Sequence, residues 1–135
     1  MRRLNISSGS EWENLVGYSR AVRVGAVVEV AGTVAVDQDG NVAGADDPYL
    51  QTKFIIAKIE RALREAGAEL KDVVRTRIYV TNMDHWSEIA RAHGEAFQDI
   101  KPASTMIEVK ALIAPEYLLE IEMTAIVENT TSIDY

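Results

Sequence analysis

No cysteine occurs among the 135 residues. That removes disulfides, thiolate metal sites and a cysteine nucleophile together, and it suits a chain kept in the reducing cytoplasm. Histidine is almost as scarce. His85 and His93 are eight residues apart on a predicted helix, which sets them about 80° apart around its axis. They do not converge as an i, i+4 pair would, so no metal site is expected. Neither histidine adjoins a nucleophile motif, which leaves a serine triad without support. Glycine forms no phosphate cradle: Gly25, Gly32 and Gly40 are dispersed and none opens a helix. Long apolar runs are missing too. Stretches such as residues 25–28 fall far short of the roughly 18 residues a membrane span needs, and no membrane partner is expected. The opening Met1-Arg2-Arg3-Leu4 has the charge of a secretory leader, but residues 5–10 are polar where an apolar core belongs.

Positive charge is also in deficit. Fourteen Lys and Arg face 21 Asp and Glu, a net charge of −7, and the basic residues sit beside acids: Lys58 and Arg61 flank Glu60, and Arg64 precedes Glu65. A phosphate backbone is bound by a contiguous basic patch, so nucleic acid is not expected as a partner.

What the chain does hold is a 47% hydrophobic share, enough for one packed domain. Residues 1–128 are expected to form that domain, and the polar segment 129–135 to be a flexible tail. Residues 19–37 read as two or three short strands, 21–24, 26–30 and 33–36, rich in β-branched residues and punctuated by Gly25 and Gly32. Asp37 to Asn41 is a turn cluster. Asp47 then caps a helix with Pro48 at its first position and Gly67 beyond its end. A strand at 73–80, a second helix around Trp86 to Phe97 capped by Asn82 or Asp84, and strands near 104–112 and 118–127 complete the order β-β-β-α-β-α-β-β. An α+β fold follows, one sheet with both helices on one face.

The other face of that sheet is unusual. Alternation puts Val74, Thr76, Ile78 and Val80 on one side of their strand and Val73, Arg75, Arg77 and Tyr79 on the other. The last strand likewise sets Ile121, Met123 and Ala125 against Glu120, Glu122 and Thr124. Such a face is either solvated or closed by another subunit. Glu120, flanked by apolar residues, is desolvated if it has no partner, and its pKa then rises toward the range useful for proton transfer. Pairing with Arg75 or Arg77 across the sheet is the structural alternative.

Three segments carry a resemblance. Lys101-Pro102-Ala103-Ser104-Thr105-Met106-Ile107-Glu108-Val109, followed by Leu119-Glu120-Ile121-Glu122, resembles the P-A-R-S-x-V-E-V … V-E-I-E signature of the Rid (YjgF) family. Gly25 to Thr33 is similar to that family's glycine-bounded strand, and Ala66-Gly67-Ala68-Glu69-Leu70-Lys71-Asp72-Val73-Val74-Arg75 to its A-G-x-x-L-x-D-V-V-K. The resemblance implies a chorismate-mutase-like fold, a homotrimer, and small-molecule pockets between subunits. It also implies hydrolysis of reactive imines and enamines to 2-oxo acids and ammonia, with no cofactor. Glu120 matches the water-handling glutamate, Tyr18 a pocket tyrosine, and Gly32 a glycine whose backbone approaches the ligand. Ser104, Thr105 and Met106 fall in the substrate-binding signature. Ser104 stands where the deaminases carry a carboxylate-binding Arg, and one hydroxyl does not replace a bidentate guanidinium. Met106 takes a position that is often Cys, Ala31 one that is often Ser, and Ala90 one that is often Asn. The reading that follows is an imine or enamine hydrolase whose substrate is not a simple 2-imino acid. The alternatives are a non-catalytic metabolite-binding or regulatory trimer and an endoribonuclease or translation inhibitor, the last disfavoured by charge.

Overall fold

The computed structural model describes residues 2–128, so the expected tail lies outside the described residues. Strand β1 (Arg3–Ile6) leads through the short helix α1 (Glu11–Val16) to β2 (Ala21–Val24), which turns at Gly25 into β3 (Val27–Thr33). Helix α2 (Pro48–Glu65) follows, then β4 (Val73–Val80), helix α3 (Trp86–Phe97), β5 (Ala103–Glu108) and β6 (Leu119–Ile126). The strands make one sheet in the order β1-β2-β3-β6-β4-β5. All neighbours are antiparallel except β4 and β5, which α3 joins as a parallel crossover.

The expected α+β architecture is therefore present. Asp47 accepts from Leu50 N at 3.0 Å, satisfying one of the free amides at the start of α2, and Pro48 needs no partner there. Ile55, Ile59 and Leu63 of α2 and Ile89 and Phe97 of α3 pack on Val28, Ile78, Leu119, Ile121 and Met123. Each such aliphatic side chain contributes about 1.5–3 kcal/mol on burial. Two polar residues join this core. Gln51 is fully buried because its amide donates to Gly44 O and Glu116 O at 3.1 Å each and accepts from Leu118 N at 3.0 Å. Thr52 donates to Pro48 O.

Three local expectations differ. The third of the opening strands, residues 33–36, does not join the sheet beyond Thr33; only an isolated bridge links Val36 to Val42. The ammonium of Lys58 takes the carbonyls of Val34 and Val36, at 3.1 and 2.8 Å, that a neighbouring strand would have used. The sixth strand comes instead from β1, whose mostly exposed residues show no alternation. In β4, a bulge at Val73 and Arg75 shifts the pairing with β6. It turns Val73 into the core, at 3% exposure, and leaves Val74 at 42%, the reverse of simple alternation. Finally, β5 stops at Glu108 rather than 112, because its partner β4 ends opposite, at Val80.

Candidate functional site

The sheet face away from the helices carries the charged residues. Register places Glu120 beside Tyr79 and Glu122 beside Arg77. Glu122 takes the structural role: Tyr79 donates to it at 2.6 Å, and Arg77 Nε lies 3.9 Å away. That hydrogen bond holds the Tyr79 phenol above its ordinary range. Glu120 does not pair with Arg75 or Arg77. Arg75 donates instead to Thr105 at 2.6 Å, and among the described residues no side chain hydrogen-bonds the Glu120 carboxylate.

Glu120 lies over Gly32, where pairing between β3 and β6 is irregular. A Cβ on Gly32 would stand 2.5 Å from Glu120 Oε2, so the missing side chain makes the room the carboxylate occupies. Arg20 braces this corner. It donates to Gly32 O at 2.9 Å, its guanidinium lies 5.7 Å from the centre of the Tyr18 ring, and its buried Nε has no hydrogen-bond partner. Burial pushes the Glu120 carboxyl above the usual carboxylate range; nearby Arg20 opposes the shift and Glu122 adds to it. Behind the corner, burial and then the charges of Arg20 and Arg61 lower Lys58 to about 8, against the pull of Asp37. A carboxyl poised this way accepts and returns a proton more readily near neutrality than an exposed one.

The residues of the Ser104 segment lie elsewhere. In the parallel pair, Ser104 and Met106 share a side with Thr76 and Ile78, the helix side, whereas Thr105 faces outward with Arg77. Ser104 Oγ is 2.7 Å from Thr76 Oγ1, which in turn lies 2.9 Å from His93 Nε2 on α3. Glu120, Gly32 and Tyr18 thus gather on one face, Ser104 and Met106 on the other, and no single chain brings the two sets together. Tyr18 also lines an open cleft of about 800 Å³ with Glu29, Ala31, Arg77 and Glu122, and that cleft stops short of Glu120. Among the described residues, no three His, Asp or Glu converge as metal ligands. Arg20, Lys58 and Thr76 carried no local signal of a role. Arg20 meets Gly32, and Thr76 meets His93, only through tertiary structure.

The family model described as Endoribonuclease L-PSP matches residues 9–127. An uncharacterised protein of Streptomyces coelicolor is 36% identical over 120 residues, covering 89% of each chain. A RutC family protein of Pyrococcus abyssi is 34% identical over 108 residues, 80% of this chain and 84% of that one. Among solved structures, a Mycobacterium tuberculosis member of the highly conserved YjgF/YER057c/UK114 family superposes with a TM-score of 0.85 at 51% identity, covering 93% of this chain and all of that one. A Yersinia pestis member of the conserved Rid protein family gives 0.81 at 26% identity, with 93% and 100% covered. With nearly the whole fold matched in sequence and in backbone, the chain belongs to the YjgF/RutC/Rid family.

Proposed function

We propose that the protein is a cytoplasmic homotrimer that hydrolyses an imine or enamine, without metal or organic cofactor, in pockets formed between subunits. The observation that carries this reading is the half-buried, unpaired Glu120 carboxyl over Gly32, held with a raised pKa. The division of the site residues between two sheet faces supports the subunit boundary: one copy offers Glu120, Gly32 and Tyr18, and the next offers Ser104 and Met106 from the helix side of its edge strand, with Thr105 on the outward side of that same strand. Closure of the polar sheet face by a neighbour also accounts for its exposed apolar members, Val27 and Ile126.

In the reaction, Glu120 takes a proton from water as the oxygen attacks the carbon of the C=N bond, giving a carbinolamine. The same carboxyl returns the proton to nitrogen. The carboxyl then takes the hydroxyl proton as the carbonyl forms and passes it to the nitrogen as the C–N bond breaks, so ammonia leaves and imine plus water balances carbonyl plus ammonia. Ser104 in the place of a guanidinium makes a simple 2-imino acid a poor substrate.

Imines generated in situ by an amino-acid oxidase test this, with ammonia release followed in a coupled assay. Wild type is expected to be slow on 2-iminopropionate and faster on imines of amino-acid amides. E120Q is expected to lose the activity, and S104R to gain on 2-iminopropionate. Equal turnover by wild type and E120Q on every imine would overturn the assignment.

A further inference from the structure

The edge strand carries a polar cluster that the Glu120 corner does not use. Thr76 is fully buried beneath α3 and links His93 Nε2, at 2.9 Å, to the exposed Ser104 Oγ, at 2.7 Å. Three hydrogen-bonding groups thus run from the interior to the surface. His93 lies against Phe97 with ring centroids 4.7 Å apart, and burial pushes its imidazole below the ordinary histidine range. The ring is therefore neutral at pH 7, with one nitrogen donating and one accepting, while each hydroxyl does both.

Such a chain runs in either sense. With the proton on Nε2, His93 donates to Thr76, Thr76 to Ser104, and the Ser104 hydrogen is free to point outward. With the proton on Nδ1, Ser104 donates inward and its lone pairs face outward. No ionised group belongs to the chain, and among the described residues no Lys or Arg side chain hydrogen-bonds Ser104. Met106, two residues on and half-buried, adds a polarisable apolar flank on the same face.

We infer that Ser104, backed by Thr76 and His93, recognises an uncharged carbonyl or amide group of the ligand in place of a carboxylate. The inference rests on the proposed reading that β5 borders a ligand pocket. A carboxylate brought here would give up water for one neutral hydroxyl, which leaves most of its charge uncompensated. An amide presents a carbonyl acceptor and an N–H donor, and the two senses of the chain serve each in turn. Ser104 touches the ligand; Thr76 and His93 are positioning residues.

Pyruvamide and pyruvate, alike in shape and different in charge, are the probes, titrated into the intact protein carrying ¹⁵N-labelled histidine. Pyruvamide is expected to bind at least about tenfold tighter and to shift the ring nitrogens of His93, which a purely structural threonine would not relay. S104A and T76V should each weaken pyruvamide about tenfold, the loss of one ligand hydrogen bond, and leave pyruvate within about twofold. T76S, which keeps the hydroxyl, should retain the preference, and S104A at an exposed position guards against a folding defect in T76V. If both probes bind but the variants leave their ratio unchanged, or pyruvate binds tighter, the relay is wrong and the pocket stands. If neither probe binds saturably, both the relay and the pocket beside β5 are wrong.

Discussion

Adding one methyl group at Gly32 probes the corner most directly. No positive φ is required at this position, so an alanine backbone fits. The new Cβ would lie 2.5 Å from Glu120 Oε2 and 2.8 Å from its Cδ, so the carboxylate must retreat by about 0.5 Å to escape overlap and about 0.9 Å to reach ordinary contact. Glu120 is the flexible end of a side chain, and turning it off its preferred rotamer costs about 0.5–1.5 kcal/mol. Against this, Gly32→Ala restricts the unfolded chain and stabilises by about 0.4–1 kcal/mol. The two nearly cancel, and denaturant unfolding should place G32A within about 1 kcal/mol of wild type. The chemistry does not cancel. A misplacement near 1 Å costs on the order of a hundredfold in rate, so imine turnover should fall by that factor. Moved off its sheltered place, Glu120 should also titrate lower, as ¹³C NMR of its carboxyl carbon would report. Wild-type turnover and an unchanged Glu120 titration in G32A would refute the reasoning.

Replacing Glu120 by Gln should raise stability at pH 7. The carboxyl pKa is higher folded than unfolded, so its stabilising contribution exists at low pH and is lost as pH rises through the folded value. The melting-temperature gap between E120Q and wild type should therefore widen from pH 4 to pH 8. Lys58 has the opposite form of shift, lowered to about 8 from an ordinary 10.5. Between those values the unfolded chain binds more protons, so wild-type stability should gain from rising pH in that window, and K58M should lack the gain. For the assembly, light scattering at micromolar concentration should give about three times the 14.9 kDa chain mass, and a stable monomer would remove the subunit pockets.

Much of the fold was legible because its signals are local. Asp47, Pro48 and Gly67 bracket α2 through backbone chemistry that needs no tertiary partner. The alternation of β6 from Leu119 to Ile126 likewise predicts its buried and outward faces residue by residue. Elements without a strong local period were missed. The edge strand β1 exposes both faces of most residues, and α1 has six residues, too few for a helical pattern, held by Ser10 at its start and by buried Glu13 bonding Ser7 and Ser8. In the site, the desolvation of Glu120 was readable from its apolar neighbours. Its freedom from Arg75 and Arg77 was not, because those arginines are claimed by Thr105 and Glu122 through sheet register. The Val73 bulge was invisible for the same reason: it exists only in the pairing with β6.

The place of β6 in the sheet bears on how the chain is made. The last of the described strands sits at the centre, hydrogen-bonded to β3 on one side and β4 on the other, with Val27 meeting Ile126 ninety-nine positions later. While a ribosome is still synthesising residues 1–118, β1 to β3 and β4 to β5 are two unjoined half-sheets, each with an open edge and an apolar side only partly covered. Loop-closure entropy for the central pairing is met only when β6 emerges, so completion of the sheet waits on that strand and is slow by the measure of sequence separation. Stalled or prematurely terminated chains would present those open edges to one another, making them clients for chaperones that bind exposed strands.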